Sequence, residues 1–471
     1  MIAFVAALAL LIPAAAPATA VPVPAAAVPA AAVPAAAPVC DAPAPSTTQP
    51  GYLVADPDCE PDGTPFTALP GATAHTGITA GTAYRIEVPD RWNGRLVIFA
   101  HGYRGTGTTV YVSNPSLRAH YVARGFAWAA SSYATNGYDV QQGVVDSYAL
   151  IALFRSVTGK AARQVLMTGD SMGGHVTGVA IERYPRAFAG ALPTCGVLGD
   201  KELFDYFLDA NVTAAALAGV RIGFPLQPPA DYPTVWRTEV SRILPRLGLT
   251  VGAPPALTPA GRTWSDVVER RSGGERPGFD SAFAYWNAAR ALAPLTDLPF
   301  LFGVWPGLTG GTAGIATGNV TDNRFTFYRS TSGLLPSPAE WRLNASVLRV
   351  RPAPGATGIP RIDGRPPVPV LSMHDIGDLF VPFSMEQTYA REVALHGRSH
   401  LLVTRAIRGV GHCDFTAAER QEAFDDLVTW VDTGHRPAGD AILSPRTVAA
   451  ADFGCRYTRG THPAWSAPPC P

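Results

Sequence analysis

Residues 164–185 read QVLMTGDSMGGHVTGVAIERYP, and this stretch decides the fold. Gln164 to Thr168 have strand character, Gly169, Asp170, Ser171, Met172 and Gly173 spell G-x-S-x-G, and a helical pattern runs from Met172 to Tyr184. A serine bracketed by glycines between a strand and a helix is the setting of a nucleophile elbow. The turn is so tight that its neighbours must be small, because a Cβ there would meet the adjoining strand or helix. Such a turn lifts one hydroxyl to the top of a sheet and aims the first helical amide at whatever the hydroxyl attacks. Gly174 extends the run of small residues. The reading favours a nucleophilic serine over a plain strand-turn-helix junction.

The flanking sequence keeps the same rhythm. Strands are expected at Thr82 to Val88, Leu96 to Ala100, Phe126 to Ser131 and Gly190 to Thr194, with helices at Ser116 to Arg124 and Val144 to Thr158. LVIFA at 96–100 is apolar throughout, as a strand buried on both faces of a parallel sheet must be. Strands alternating with helices predict an α/β fold with a doubly wound, mostly parallel sheet. After Gly196 the rhythm breaks. Amphipathic stretches at Lys201 to Ala218, Thr234 to Leu247 and Ser281 to Leu292 are separated by Gly/Pro-rich connections, including GLTGGTAGIATGN. A helical cap inserted before the strand that carries the acid is the expectation for residues 201–365. Strands at Val368 to Met373 and His400 to Ile407, and helices at Ser384 to His396 and Ala417 to Asp432, then restore the pattern. The expected organisation is an N-terminal α/β part over 51–200, the cap, a C-terminal α/β part over 366–438 and a tail over 439–471.

Composition narrows the function. The 471 residues carry 37 basic and 37 acidic side chains, a balance that gives no field for nucleic acid or an acidic membrane surface. Ile2 to Leu11 form an apolar run followed by an A-x-A site at Ala18, Thr19 and Ala20, which reads as a signal peptide over 1–20. Pro13 and Pro17 interrupt the run, so it is too short to span a bilayer, and no stable membrane insertion is expected after cleavage. VPAAA-type low complexity makes residues 21–50 an extended linker, and folded sequence is expected from about Gly51. Six cysteines, at 40, 59, 195, 413, 455 and 470, suit an exported protein with up to three disulfides. Six cysteines allow fifteen pairings. The reading favours Cys40 with Cys59 as a clasp after the linker, with Cys195 and Cys413 near the active-site rim as a secondary choice. No C-x-x-C or His-rich ligand spacing occurs, so neither metal nor cofactor is expected.

A serine hydroxyl needs a base beside it, and the base needs a third group to hold its tautomer. His412 sits in RGVGHCDF directly after the last expected strand, and Asp378 sits in MHDIGDLFVP after the preceding one. The order Ser171, Asp378, His412 is the order of elbow-type hydrolases. The strand LVIFA ends in HGYRG, and the backbone amides of Tyr103 and Met172 are assigned as the oxyanion donors. Asp375 is the rival acid, with Asp378 favoured by its place ahead of the Val381–Pro382 turn. His101 and His175 are read as structural, and His374, His396 and His400 as loop or surface histidines. Asp170 is expected to be exposed or salt-bridged, and Arg104 and Asp414 to serve at the surface or touch substrate. Trp236, Trp264, Tyr285, Trp286 and Trp305 are read mainly as core of the cap, with a pocket wall as the alternative.

The segments HGYRG, GDSMGG, HDIGDLFVP and GVGHCDF, spanning about 80–200 and 365–435, resemble the α/β-hydrolase superfamily, with the insertion where that family places lids. The stretch FDDLVTWVDTGHRPAG resembles the tails of secreted esterases of feruloyl-esterase-like and polyester-depolymerase-like type. Unlike tannase-like relatives, the chain has no cysteine beside the serine, although Cys413 follows the histidine. The resemblance implies Ser171 as nucleophile, Asp378 as acid and His412 as base. It does not imply a substrate, because one fold hosts many chemistries. The resulting expectation is a secreted or envelope-associated serine carboxylesterase acting on a small-molecule or polymeric ester through an acyl-enzyme. An exported peptidase or amidase with the same triad is the first alternative, and a non-enzymatic binder on a hydrolase scaffold the second.

Overall fold

Successive side chains along Leu96, Val97, Ile98 and Phe99 point to opposite faces of a sheet, and all four are buried. Leu96 and Ile98 join one apolar cluster with Val144, Phe154 and Val176. Val97 and Phe99 join another with Tyr121, Phe424 and Leu427. Helices therefore cover both faces, which is why this four-residue stretch carries no polar side chain. The computed structural model describes residues 40–226, 231–292, 295–303, 318–466 and 469–470. The expected signal peptide, most of the linker, Trp305 and most of the GLTGGTAGIATGN run lie outside the described residues.

The strands are β1 (Ala72–Thr79), β2 (Thr82–Pro89), β3 (Arg95–Ala100), β4 (Ala127–Ser131), β5 (Gln164–Asp170), β6 (Gly190–Thr194), β7 (Val370–Asp375) and β8 (Leu402–Ile407). They form one eight-stranded sheet in the order β8-β7-β6-β5-β3-β4-β2-β1. From β4 to β8 every pairing is parallel, while β2 runs antiparallel to both β4 and β1. The sheet is thus doubly wound and mostly parallel, as the alternating pattern predicts. Sequence reading passes over β1, whose ATAHTGIT lacks an apolar stripe because it forms the sheet edge. Its partner is reached through a tight turn in which Ala80 and Gly81 both take positive φ, the conformation a two-residue hairpin requires.

The covering helices are α1 (Arg118–Ala123), α2 (Val140–Thr158) and α3 (Met172–Arg183). Those of the insertion are α4 (Glu202–Leu217), α5 (Tyr232–Leu247), α6 (Pro259–Ser272), α7 (Phe279–Ala288) and α8 (Pro338–Ser346). Then follow α9 (Ser384–Leu395) and α10 (Ala417–Thr433). Trp236, Trp264 and Trp286 of the insertion share one buried cluster with Leu96, Ile98 and Val176, so its core is continuous with one face of the sheet. Among the described residues no helix is long and apolar enough to cross a membrane.

Both ends of the described chain are tied down. Cys40 bonds to Cys59, and Ala44–Pro45 pairs with Leu53–Val54. Folded structure therefore begins ahead of Gly51, inside the stretch expected to be linker. The disulfide and the backbone pairing hold a segment whose composition offers no core. At the other end, the tail lies along edge strand β8: Asp440 N–H donates to Thr404 O, and Arg408 reaches Phe453 O at 2.9 Å. Cys455–Cys470 closes a loop within that tail. Covering β8 in this way removes an exposed sheet edge.

Candidate active site

The parallel registers bring the C-terminal ends of β3, β5, β6, β7 and β8 side by side, with Ala100 beside Gly169, Asp170 beside Thr194 and Asp375 beside Ile407. Ser171 follows β5 directly. Its backbone takes φ 60° and ψ −123°, a conformation costing about 1–3 kcal/mol that persists only where the surroundings enforce it. The glycines show what enforces it. A Cβ at Gly169 would lie 2.2 Å from Gly173 O, one at Gly173 would lie 2.0 Å from Ala100 O, and one at Gly174 would lie 2.5 Å from the Gly196 Cα. Only hydrogen fits at each of these positions, so the turn can close.

Ser171 Oγ lies 2.8 Å from His412 Nε2, and His412 Nδ1 lies 2.6 Å from Asp378 Oδ2. The other carboxylate oxygen of Asp378 accepts the backbone N–H groups of Phe380 at 2.8 Å and Val381 at 3.1 Å. Asp378 is fully buried, while the histidine side chain keeps 18% exposure. A hydroxyl at 171 thus forms one hydrogen-bonded line with an imidazole 241 residues further on and a carboxylate 34 residues before that imidazole. This line stands on an elbow after β5, with the carboxylate after β7 and the imidazole after β8.

The strand order, the elbow and the loop placement are those of an α/β-hydrolase fold.

The surroundings of this line explain why its side chains hold their places. Beyond β7 and β8 the two loops remain paired, Ile376 N–H donating to Ile407 O at 2.8 Å and Gly377 N–H to Gly409 O at 2.9 Å. Asp375, the rival acid, is fully buried away from the imidazole and accepts Asp414 N–H at 2.8 Å. Burial, reinforced by the Asp378 charge, pushes its carboxyl well above the usual range. It holds the loop bearing His412, and a Cβ at Gly409 would strike its Oδ1 at 2.2 Å. Arg420 of α10 bonds Asp170 Oδ1 at 3.1 Å and Cys413 O at 3.1 Å, linking elbow to base loop. Asp170 is thus salt-bridged, one of the two expected states.

The bystander histidines are accounted for. His101 stacks on Tyr133 and places its ring nitrogens 2.7 Å from Gly102 O and 3.1 Å from Ser132 O, leaving neither for the serine. Burial lowers its pKa well below the ordinary value. His175 lies between Tyr138 Oη at 2.9 Å and Pro360 O at 2.7 Å, and burial takes its pKa down to about 4. His374 departs from expectation. It is fully buried within β7, with Nε2 2.7 Å from Val381 O, because the strand runs two residues further than its apolar stretch. Arg104 bonds Tyr111 O and Ser113 Oγ, and Asp414 faces His462 at 3.6 Å.

Two backbone segments adjoin the serine. Met172 opens α3, where an amide has no partner within its own helix. Gly102 precedes Tyr103, and a Cβ on it would lie 3.1 Å from the Ser171 Cβ, which brings the HGYRG turn against the serine. On the other side, the Phe380 ring centroid lies 4.8 Å from that of His412, with Phe300 5.0 Å and Phe207 6.3 Å from Phe380.

Sequence reasoning missed Arg276 and Arg420, and read Trp286 only as core of the cap or pocket wall. Fully buried Arg276 donates through Nε to Ile376 O at 2.5 Å, and Trp286 Nε1 donates to Gly377 O at 3.1 Å and Val410 O at 2.8 Å. Burial takes the Arg276 guanidinium down to about 10. Their acceptors are backbone carbonyls far along the chain, which leave no mark on local sequence.

Cys195, at the end of β6, is bonded to Cys413, the residue after the histidine, across a separation of 218 residues. This bridge ties the base loop to the sheet. Replacing both cysteines by alanine is expected to lower the unfolding free energy by about 3–5 kcal/mol, read by denaturant titration. A loss below about 1 kcal/mol would show that the bridge contributes no constraint to the unfolded chain.

No family model matches the chain. A 75-residue stretch is 39% identical to the o-phthalyl amidase of Xanthobacter agilis, covering 16% of this chain and 17% of that protein. The chain's likeness thus spans about a sixth of that relative's length. Among solved structures, it is similar to feruloyl esterase B from Aspergillus oryzae at 15% identity and TM-score 0.44, covering 84% of this chain and 86% of that one. It is also similar to acylaminoacyl peptidase from Pyrococcus horikoshii at 10% identity and TM-score 0.36, covering 80% and 44%. Strand order and elbow, rather than these likenesses, carry the fold.

Proposed function

We propose that the protein is an exported serine hydrolase that cleaves carboxylic esters through an acyl-enzyme on Ser171. The observation that carries this reading is the unbroken line Ser171 Oγ to His412 Nε2 to Asp378 Oδ2 at 2.8 and 2.6 Å. His412 removes the hydroxyl proton as the oxygen attacks the ester carbonyl, then delivers it to the departing alcohol. Asp378 holds the imidazole with Nδ1–H toward itself and steadies the imidazolium. The amides of Met172 and Tyr103 receive the developing oxyanion, each such donor lowering the barrier by about 3–4 kcal/mol. Water activated by His412 then releases the acid. No cofactor enters these steps.

The aromatic group at Phe380, Phe300 and Phe207 supports a pocket with apolar walls, suited to small-molecule or polymeric esters. The insertion, in this reading, is the cap over that pocket. Three disulfides suit an oxidising compartment and so support export. Attachment to the cell envelope would come from the N-terminal segment.

Amide cleavage is a second reading, favoured by the stretch shared with the o-phthalyl amidase. Two measurements separate the possibilities. Purified protein is expected to be labelled at Ser171 by a fluorophosphonate, and a folded sample that resists labelling points to a binding protein. A p-nitrophenyl ester is then compared with the p-nitroanilide of the same acyl group. The ester should turn over faster, and a kcat/KM favouring the anilide would replace the esterase assignment with an amidase one.

A further inference from the structure

Among the described residues the insertion contains three fully or nearly buried tryptophans, and each indole N–H donates to a backbone carbonyl. Trp236 reaches Phe302 O at 2.7 Å and Trp264 reaches Ala210 O at 2.8 Å, both acceptors lying within the insertion. Trp286 differs. Its N–H is shared between Gly377 O at 3.1 Å and Val410 O at 2.8 Å, both in the α/β core. Gly377 immediately precedes Asp378, and Val410 stands two residues before His412. One donor on α7 therefore grips the acid loop and the base loop together.

The two loops leave these carbonyls available because their own pairing uses other groups. Gly377 N–H is spent on Gly409 O, and Ile376 N–H on Ile407 O. The remaining outward acceptors, Ile376 O, Gly377 O and Val410 O, are taken by Arg276 and Trp286. The Trp286 ring is itself held by packing, its centroid 4.4 Å from that of Phe300 and 6.4 Å from that of Phe380. A buried carbonyl without a donor is costly, so withdrawing the indole N–H would drive both loops to rearrange. Rearrangement there changes the contact between the Asp378 carboxylate and the imidazole.

We infer that Trp286 is a positioning residue that clips the loop bearing Asp378 to the loop bearing His412, so that the insertion sets the geometry of the charge line. This rests on the hydrolase reading of Ser171, Asp378 and His412. It makes α7 a fixed buttress of the site.

The test is Trp286→Phe in the full chain, which keeps an aromatic ring and removes the donor. On a small ester such as p-nitrophenyl acetate, kcat is expected to fall roughly 10- to 100-fold, the scale of a sub-ångström to 1 Å misplacement. KM should stay within about twofold, since ground-state binding of so small a substrate is untouched. The fluorophosphonate labelling rate should fall with kcat. Trp264→Phe is the control, because it deletes the same kind of bond at an equally buried site whose acceptor lies inside the insertion. It is expected to keep kcat while costing similar thermal stability. Should Trp286→Phe fail to fold, Arg276→Met, which removes the donor to Ile376 O, reads the same split with a smaller fall.

Wild-type kcat and labelling rate in Trp286→Phe would overturn the clip, as would an equal fall in Trp264→Phe. Failure of wild-type protein to label at all would instead remove the hydrolase reading, and the clip with it.

Discussion

Ser171→Ala lowers turnover of a p-nitrophenyl ester by about 10⁶-fold while leaving KM near its wild-type value. The expectation follows from the elbow. Ser171 Oγ is the atom 2.8 Å from His412 Nε2, and its removal leaves the imidazole with nothing to deprotonate. The backbone at 171 is held by the glycines at 169, 173 and 174, whose hydrogens face atoms no Cβ could approach. Alanine carries the same Cβ as serine, so it adopts the same φ of 60° and the fold is unchanged. Thermal unfolding of the variant should therefore coincide with that of wild type. The residual rate over uncatalysed hydrolysis comes from the two amides and from binding. Turnover within tenfold of wild type, in a preparation free of contaminating esterase, would show that another nucleophile does the chemistry.

Asp378→Asn lowers kcat by about 10⁴-fold, through the tautomer rather than through loss of fold. Asp378 Oδ1 accepts two backbone N–H groups, from Phe380 and Val381. An asparagine must keep its carbonyl oxygen there, because its amino group would face two donors. The amino group is then forced toward His412 Nδ1, which must become an acceptor. The ring proton moves to Nε2 and points at Ser171, so the ring can no longer take the hydroxyl proton. Stopped-flow or steady-state turnover together with the position of the ring proton by NMR checks both halves of the argument. Asp375→Asn is the contrast: its carboxyl meets Asp414 N–H rather than the imidazole, so the tautomer is preserved. If Asp375→Asn were the more damaging of the two, the acid would have to be reassigned.

Much of this was legible in the chain itself. Apolar runs such as LVIFA and the glycine-serine pattern at 169–174 have local causes: burial on two faces, and a turn with no room for Cβ atoms. Loop residues after successive strands could be named because a parallel sheet collects its strand ends at one edge. The edge strand β1 escaped notice because, half exposed, it needs no apolar stripe. His374 was misplaced outside the core because its polarity hides a buried position satisfied by Val381 O. Arg276, Trp286 and Arg420 bond carbonyls and carboxylates brought near only by folding.

Sequence alone named the candidate side chains and their order along the backbone, since small side chains, apolar periodicity and turn chemistry act over a few positions. Tertiary structure decided the distances among those groups and what holds them. Hydrogen bonds of 2.6 and 2.8 Å between residues up to 241 positions apart depend on how sheet, insertion and tail pack together, and no local pattern records that packing.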